Sequence, residues 1–273
     1  MSLENTTRKL ALVTGGSSGI GFCLAKEFAD HGYDLLLCAE NRDTLLEAAD
    51  KLRATNDVRI EIVATDLSTY EGVEELYAAA KAIGPVDALA ANAGTGTYGN
   101  FTEETSLEQE LKIIDLNAKS VVHLTKLISK DMVAWGSGKI LITASVVSFM
   151  PDAYQTVYAA TKAFDYIFAE GLRESLKGTG VTVTALLPGA TATNFFFRAG
   201  AMESKVVKDG GLADPADVAK VAYQALEEGD DHVVHGIKNK IMAELASMAP
   251  PTLVAKMGRM MMEPKKEKVE EEA

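Results

Sequence analysis

The stretch that decides the fold of this chain is Leu10-Ala-Leu-Val-Thr-Gly15-Gly-Ser17-Ser18-Gly19-Ile20-Gly21. It starts as a short apolar run, continues as a turn made largely of glycine and serine, and leads into a helical pattern from Phe22 to His31. Glycine lets the backbone turn sharply, and the free N–H groups at a helix start favour an anion such as a pyrophosphate. The stretch therefore predicts a strand, a nucleotide-binding turn and a helix.

The same residues also fit a different chemistry. Gly15-Gly-Ser17-Ser-Gly19 formally matches the G-x-S-x-G turn of a serine hydrolase, for which His232 and His235 are conceivable partners. That serine needs an earlier strand and loop to supply oxyanion donors, and only one short strand precedes Ser17. The hydrolase is therefore the weaker alternative, and we expect both histidines at the surface beside a late strand.

Apolar strand-like runs and helical runs alternate along the rest of the chain. Strands are predicted at 10–14, 34–39, 59–64, 85–91, 139–143, 181–187 and 231–235. Helices are predicted at 22–31, 42–55, 70–83, 107–132, 154–176 and 214–228. Such alternation indicates parallel strands with right-handed crossovers. We predict an α/β fold with one Rossmann domain over residues 1–262, a doubly wound, mostly parallel seven-stranded sheet flanked by helices, and a charged disordered tail at 263–273.

A second informative stretch joins Ser145 to Lys162. Tyr158 and Lys162 are four residues apart, so on a helix they lie on one face with the ammonium beside the phenol. A free phenol ionises only near ~10, and a neighbouring cation favours the phenolate. The pair therefore predicts a tyrosine that exchanges protons near neutrality. Ser145 ends the strand-like run, and its hydroxyl can hydrogen-bond the same substrate oxygen.

The same spacing recurs at Tyr77 and Lys81, which shows that spacing alone is weak evidence. The context of the two tyrosines differs. Tyr158 follows an apolar strand that ends in serine, whereas Tyr77 follows an acidic helix start at Glu71. We therefore predict that Tyr77 is an ordinary helix residue.

Composition narrows the class of partner. The 273 residues are 47% apolar, enough for a sizeable core, and the net charge is −12, which argues against nucleic acid as a partner. Cys23 and Cys38 lack metal-ligand spacing, so we predict buried thiols and no metal. The N-terminus has no apolar signal region, and no apolar run reaches the ~20 residues of a membrane span, so a cytoplasmic protein is predicted.

Five motifs in one order resemble the short-chain dehydrogenase/reductase family over roughly residues 9 to 235. The segment from Thr14 to Gly21 looks like the cofactor turn of that family, Asp66 with Leu67 like its adenine contact, and Asn92-Ala93-Gly94 like its central-strand motif. Asn117, Ser145, Tyr158 and Lys162 look like its catalytic tetrad, and Pro188-Gly189 with Thr193 like its nicotinamide-side segment.

The resemblance implies a nicotinamide-dependent oxidoreductase that transfers a hydride between NAD(P)(H) and a secondary alcohol or carbonyl. It implies that Tyr158 is the acid/base, that Ser145 positions the substrate oxygen, that Lys162 binds the ribose and lowers the tyrosine pKa, and that Asn117 holds a proton-relay water. It also implies a homodimer or homotetramer formed through the two long helices. A nucleotide-binding sensor or scaffold without turnover is the alternative function.

The end of the second strand bears on the choice of cofactor. Ala39 is followed by Glu40 and, close behind, by Arg42. Glu40 would accept from a ribose 2′-hydroxyl and repel a 2′-phosphate, whereas Arg42 would attract the phosphate. The sequence therefore leaves NAD or NADP open, with a lean towards NAD.

An aromatic run marks the predicted substrate loop at 190–213, where periodicity fades. Phe195, Phe196 and Phe197 follow the Pro188-Gly189 turn, and on a helix three consecutive rings cannot all face one side. We expect at least one of them to face the cleft as part of a lid over an apolar substrate. Core packing or a subunit contact is the alternative.

Overall fold

The strand segments are apolar almost throughout, which suits burial on both faces of a parallel sheet. The computed structural model describes residues 8–265. Within them the strands are β1 (Leu10–Thr14), β2 (Asp34–Ala39), β3 (Ile60–Ala64), β4 (Ala88–Ala91), β5 (Gly138–Thr143), β6 (Val181–Leu187) and β7 (His232–Val234). The helices are α1 (Gly19–Asp30), α2 (Arg42–Arg53), α3 (Tyr70–Ile83), α4 (Leu107–Ile114), α5 (Ser120–Trp135), α6 (Thr156–Ser175), α7 (Phe195–Arg198), α8 (Lys205–Lys208), α9 (Pro215–Glu228), α10 (Ile237–Met248) and α11 (Pro251–Met262).

The chain forms a single α/β domain around one seven-stranded sheet. Its order is β3-β2-β1-β4-β5-β6-β7, and each pairing between these seven strands is parallel. The strand order reverses between β1 and β4. In open sheets of this kind, ligands bind at such a switch point, beyond the carboxyl ends of the strands.

Successive side chains along the strands pack into two different hydrophobic cores, one on each face of the sheet. Leu12, Leu36 and Ile140 pack with α3, α5 and α6 on one face of the sheet. Val13 and Leu35 pack with α1, α2 and α9 on the other. The five inner strands are thereby buried from both sides, which fixes their register and the positions of the residues at their ends.

The long helix predicted at 107–132 is interrupted. Its middle, Asp115–Lys119, is a π-helical segment that separates α4 from α5 and contains the fully buried Asn117. One extra residue per turn at this point aims Asn117 into the protein. Such π segments occur frequently at functional sites.

The C-terminal region is more regular than predicted. α10 was not predicted, because its apolar residues occur on two opposite faces and give no single periodicity. The substrate loop contains the short helices α7 and α8. Residues 263–265, predicted as the start of the disordered tail, pair with the loop, since Lys265 N donates to Glu203 O over 3.0 Å and Lys205 N to Glu263 O over 3.1 Å. The remainder of the predicted tail lies outside the described residues.

The predictions about the two cysteines and about membrane-spanning helices can also be compared with the structure. Cys38 is buried, but Cys23 is only partly buried, because it lies at the edge of α1. None of the helices between residues 8 and 265 has the length and apolar content needed to cross a membrane.

Candidate active site

A cavity of about 580 Å³ lies over the carboxyl ends of the strands at the switch point. Most residues singled out in the sequence line it, namely Gly15, Ser17, Ser18, Gly19, Ile20, Gly21, Glu40, Asp66, Leu67, Asn92, Ala93, Gly94, Ser145, Tyr158, Lys162, Pro188, Gly189, Thr193, Phe195 and Phe196. Arg42 and Phe197 do not line it. The topology thus brings together residues that are more than 170 positions apart in the sequence.

The glycine turn fits closely against its surroundings. Gly15 and Gly19 have φ values of 69° and 57°, which side chains rarely adopt. A Cβ on Gly21 would lie well inside contact distance of the Gly15 carbonyl and 2.6 Å from Asn92 Nδ2. Only glycine therefore lets α1 begin this close to β1 and β4. The free N–H groups at the start of α1 face the cavity.

A threonine at the end of β1 holds the next strand in place. Thr14 Oγ1 accepts from the backbone N–H groups of Asn92 and Ala93 over 2.9 and 3.0 Å. Asn92 Nδ2 donates to the Thr14 carbonyl, and Asn92 Oδ1 accepts from Thr143 Oγ1 over 3.2 Å. Asn92 therefore ties the ends of β1, β4 and β5 together and leaves Gly94 at the cavity floor.

Lys162 is buried and makes two strong contacts. Its Nζ donates to the Thr143 carbonyl over 2.7 Å and to Asp165 Oδ2 over 3.0 Å. An ammonium has three donors, so one remains for a ligand. A Cβ on Gly94 would lie 3.6 Å from this Nζ, which shows that the backbone leaves room beside it.

Tyr158 lies beside Ser145, whose side chain is one of the groups that lower the pKa of the phenol. Burial raises the pKa of Tyr158 above its ordinary value, and Lys162 and Ser145 lower it by less. The prediction that Lys162 lowers this pKa has the right sign. Without cofactor, desolvation of the phenolate outweighs the attraction of an ammonium already paired with Asp165, so proton exchange by Tyr158 near neutrality stays a prediction for the cofactor-bound protein.

Asn117 adjoins the cavity from behind. Its Oδ1 accepts from Thr95 N over 2.9 Å, and its Nδ2 donates to the Thr95 carbonyl and to Thr161 Oγ1 over 2.9 and 3.2 Å. The side-chain amide is thus satisfied by protein. A water held by Asn117 would have to use a backbone group, which a π-helical segment can leave free.

The three phenylalanines separate as the spacing predicts. The Phe195 ring lies 5.0 Å from the Tyr158 ring and against Gly96. Phe196 is buried in a small cluster with Ala199 and Ala201, and Phe197 is 74% exposed. One ring therefore faces the acid/base candidate, one anchors the loop and one faces solvent.

At the other end of the cavity, Glu40 is held by a lysine that the sequence did not reveal. Lys112 Nζ contacts Glu40 Oε1 at 3.2 Å and Asp66 Oδ2 at 3.8 Å. The hydrogen bond to Glu40 raises the pKa of Lys112. Lys112 is 72 positions from Glu40, so no local pattern links the two residues.

Sequence reasoning missed other side chains of the site. Asp165 is completely buried next to Lys162, and burial raises its pKa to about 6. Gln155 lines the cavity, and its buried Nε2 has no hydrogen-bond partner among the described residues. The only sequence signal for Asp165 is an acidic residue three positions after Lys162 on a helix face expected to be buried.

Two sequence alternatives are resolved by the geometry. Tyr77 donates to Asp131 over 2.9 Å outside the cavity, so it is an ordinary helix residue. The hydrolase interpretation is wrong, because β7 with its histidines lies four strands from β1. That separation is roughly 19 Å, too far for His232 or His235 to contact Ser17.

The residues present fit a dinucleotide. The Gly15–Gly21 turn offers backbone donors to a pyrophosphate, Glu40 and Asp66 offer carboxylates at the end where a ribose and adenine would lie, and the free Lys162 donor lies at the other end. The absence of side chains at Gly94 and Gly189 leaves the cavity floor open between these ends.

Comparison with known proteins agrees with this geometry. The family model described as short chain dehydrogenase matches residues 9–204. A short-chain dehydrogenase from Sphingobium yanoikuyae in complex with NADPH is 27% identical, with a TM-score of 0.78 over 89% of this chain and 96% of that one. One from Burkholderia phymatum in complex with NAD is 25% identical, with a TM-score of 0.79 over 95% and 98%.

A third structure is the bulky-bulky ketone specific alcohol dehydrogenase from Comamonas testosteroni, which is 25% identical with a TM-score of 0.75 over 92% of this chain and 99% of that one. The matched family segment contains the glycine turn, Asn117 and the Ser145–Lys162 stretch. The chain therefore belongs to the short-chain dehydrogenase/reductase family and is an NAD(P)-dependent oxidoreductase.

Proposed function

We propose that this protein transfers a hydride between NAD(P)(H) and the carbon of an apolar secondary alcohol or ketone, with Tyr158 as its acid/base. The observation that carries the proposal is the Tyr158 hydroxyl beside Ser145 in a cavity that has an apolar wall next to polar residues such as Asp152 and Gln155. That wall consists of Val147, Met150, Phe195, Met242, Met261 and Met262. Methionine side chains adapt to ligands of different shape, so the wall suits a bulky apolar group. The Comamonas enzyme is named for its specificity for bulky-bulky ketones.

When bound, NAD(P)(H) supplies or accepts the hydride. In oxidation, the Tyr158 oxygen takes the proton that the alcohol oxygen releases, and in reduction it returns that proton. Ser145 donates a hydrogen bond to the same substrate oxygen and so orients it. Lys162 keeps a positive charge near the phenol and offers its third donor to the ligand. Phe195 covers Tyr158 and limits the access of water.

The direct experiment is a screen of alcohols and ketones of increasing bulk with each cofactor, followed by the absorbance of the reduced nicotinamide. Turnover of bulky apolar alcohols or ketones in preference to small polar ones supports the proposal. Tight binding of cofactor without turnover of any alcohol or ketone would instead indicate a nucleotide-binding sensor or scaffold.

Cofactor preference can be tested at Glu40. We propose NAD, since Glu40 and Asp66 outnumber Lys112 at this end of the cavity. Glu40→Arg should raise the NADP/NAD ratio of kcat/KM at least about tenfold, because it replaces a carboxylate near the 2′ position with a phosphate-pairing guanidinium and frees Lys112. Arg42→Ala is the matched control and should leave the ratio unchanged, because Arg42 is exposed and does not line the cavity. An unchanged ratio in Glu40→Arg would show that Glu40 does not face the ribose.

The substrate loop gives a second kinetic prediction. Phe195→Ala should raise KM for bulky apolar ketones about tenfold and change KM for small ones little, because an apolar contact beside Tyr158 is lost. Phe197→Ala should be close to silent, because that ring is exposed. Equal effects of the two variants on bulky and small substrates, or a change in oligomer mass, would rule out a lid formed by Phe195.

We also propose that the protein is a homo-oligomer. Leu107, Leu111 and Ile114 of α4 and Phe164 and Ile167 of α6 are exposed large apolar side chains on helices that contact each other. A dimer formed through this face would cover them, and sedimentation equilibrium would measure the mass. The cytoplasmic location predicted from the sequence stays a prediction.

A further inference from the structure

The two C-terminal helices carry seven of the 18 exposed large apolar side chains of residues 8–265. On α10 the exposed side chains are Ile237, Ile241, Leu245 and Met248, of which Met248 is 85% and Ile237 77% exposed. Their spacing of four, four and three residues places them on one side of the helix. On α11 the exposed side chains are Leu253, Met257 and Met260, again on one side.

These stripes are not poorly packed core residues. Each helix has a separate inner face, where Met242 and Ala246 of α10 and Val254 and Met261 of α11 pack around Met150. The inner faces already attach the two helices to the domain. The outer stripes are therefore additional apolar surface, larger than fold stability requires, and such surface marks an interaction site.

Charge identifies the kind of partner. The helices α10 and α11 carry four basic residues, Lys238, Lys240, Lys256 and Arg259, and one acidic residue, Glu244, in a chain whose net charge is −12. None of the four basic side chains forms an ion pair with another residue between positions 8 and 265. Apolar stripes flanked by unpaired cations on an acidic protein match the charge and polarity of an anionic bilayer surface.

We propose that the outer face of α10 and α11 binds peripherally to membranes that contain anionic phospholipid. The exposed leucine, isoleucine and methionine side chains enter the boundary between headgroups and acyl chains, and the lysine and arginine side chains reach the phosphates. A second copy of this chain fits the surface less well. In a two-fold contact this face would meet itself and bring the same four cations together without partners.

The position of the helices gives this contact a consequence. Met242 of α10 and Met261 and Met262 of α11 line the cavity from the opposite side of the same helices. A bilayer bound to the outer face lies about one helix diameter, roughly 10 Å, from the cavity. An apolar compound dissolved in the membrane would then reach the cavity without crossing much water.

Cosedimentation with vesicles tests the proposal on the full-length protein. Vesicles of phosphatidylcholine with about one third phosphatidylglycerol should carry the protein down in about 0.1 M salt, and phosphatidylcholine alone should carry down much less. Raising the salt to about 0.5 M should weaken the binding. The double variant Leu245→Glu/Met248→Glu should bind anionic vesicles at least about tenfold more weakly, because it places two carboxylates in the stripe. Lys238→Gln/Lys256→Gln should weaken binding to anionic vesicles by a similar factor.

Tyr70→Glu is the matched control, because Tyr70 is 63% exposed at the start of α3 and receives the same new charge. It should bind vesicles as the parent does. All of these positions lie outside the cavity lining, so cofactor binding and thermal unfolding should stay at parental values and report intact folding. Absence of sedimentation with anionic vesicles, or equal sedimentation of Leu245→Glu/Met248→Glu and parent, overturns the proposal. A lower native mass of that variant without vesicles overturns it in favour of a subunit interface.

Discussion

A Tyr158→Phe variant is expected to lose about 10²- to 10⁴-fold in kcat and to bind cofactor nearly as tightly as the parent. The change removes one hydroxyl and keeps the ring that packs against Phe195. Without the hydroxyl, the ring beside Ser145 can neither give a proton to the substrate oxygen nor take one from it. Steady-state turnover with the best substrate of the screen, and cofactor titration by fluorescence, measure the two quantities.

Tyr77→Phe is a stringent control for this prediction. Tyr77 and Lys81 have the same four-residue spacing on a helix, and Asp131 pairs with both over 2.9 and 3.0 Å. Removal of the Tyr77 hydroxyl costs one hydrogen bond, about 1 kcal/mol of stability, and should leave kcat unchanged. A similar loss of activity in both variants would show that the assignment of Tyr158 is wrong.

The fold was predictable from local sequence because most strands are apolar on both faces. All seven strands begin and end within three residues of the prediction, and β1, β2 and β6 coincide with it. The π-helical segment at Asn117 was not predictable, because apolar residues continue with helical spacing through it and the extra backbone residue leaves no mark on composition. α10 was not predicted because it has apolar residues on both an inner and an outer face, so its sequence shows no single amphipathic pattern. The outer face is the one proposed to bind membranes.

The site was predictable where residues follow a strand end and not where the partner lies elsewhere in the chain. Gly15 to Gly21, Asn92, Ser145 and Pro188 all follow predicted strands, and parallel strands bring their ends to one edge. Spacing also placed Tyr158 and Lys162 on one face. Spacing could not show that Lys162 forms a buried ion pair with Asp165, because the depth at which α6 packs depends on its tertiary contacts with the sheet.

The second large expected effect concerns the partner of Lys162, Asp165, and the dependence of stability on pH. An Asp165→Asn variant should become more stable relative to the parent as pH rises from about 4 to about 7. Burial raises the pKa of Asp165 to about 6 from an ordinary 3.8, although Lys162 lowers it in part. The folded protein therefore holds this proton more tightly than the unfolded chain does. Stability is lost as pH rises through this interval and is constant above it.

The pKa difference of about two units corresponds to roughly 3 kcal/mol at most. Asparagine does not titrate, so the free energy of unfolding of Asp165→Asn minus that of the parent should rise by up to this amount. Loss of the anionic partner of Lys162 also changes stability. Titration of the Asp165 carboxyl, by contrast, determines how the difference in stability changes with pH. The slope with pH is therefore the quantity to measure, by thermal or urea unfolding at several pH values.

The same variant should shift the pH profile of turnover, which a purely structural role would not do. The Asp165 carboxylate raises the pKa of Tyr158, so its removal should move the acid limb of alcohol oxidation to lower pH. Asp131→Asn is the matched control, because Asp131 pairs with Lys81 and also accepts from Tyr77 at the surface, where solvent screens the charges. If Asp165→Asn and Asp131→Asn give parallel stability curves and unchanged pH profiles, Asp165 does not govern the charge that Lys162 presents to Tyr158.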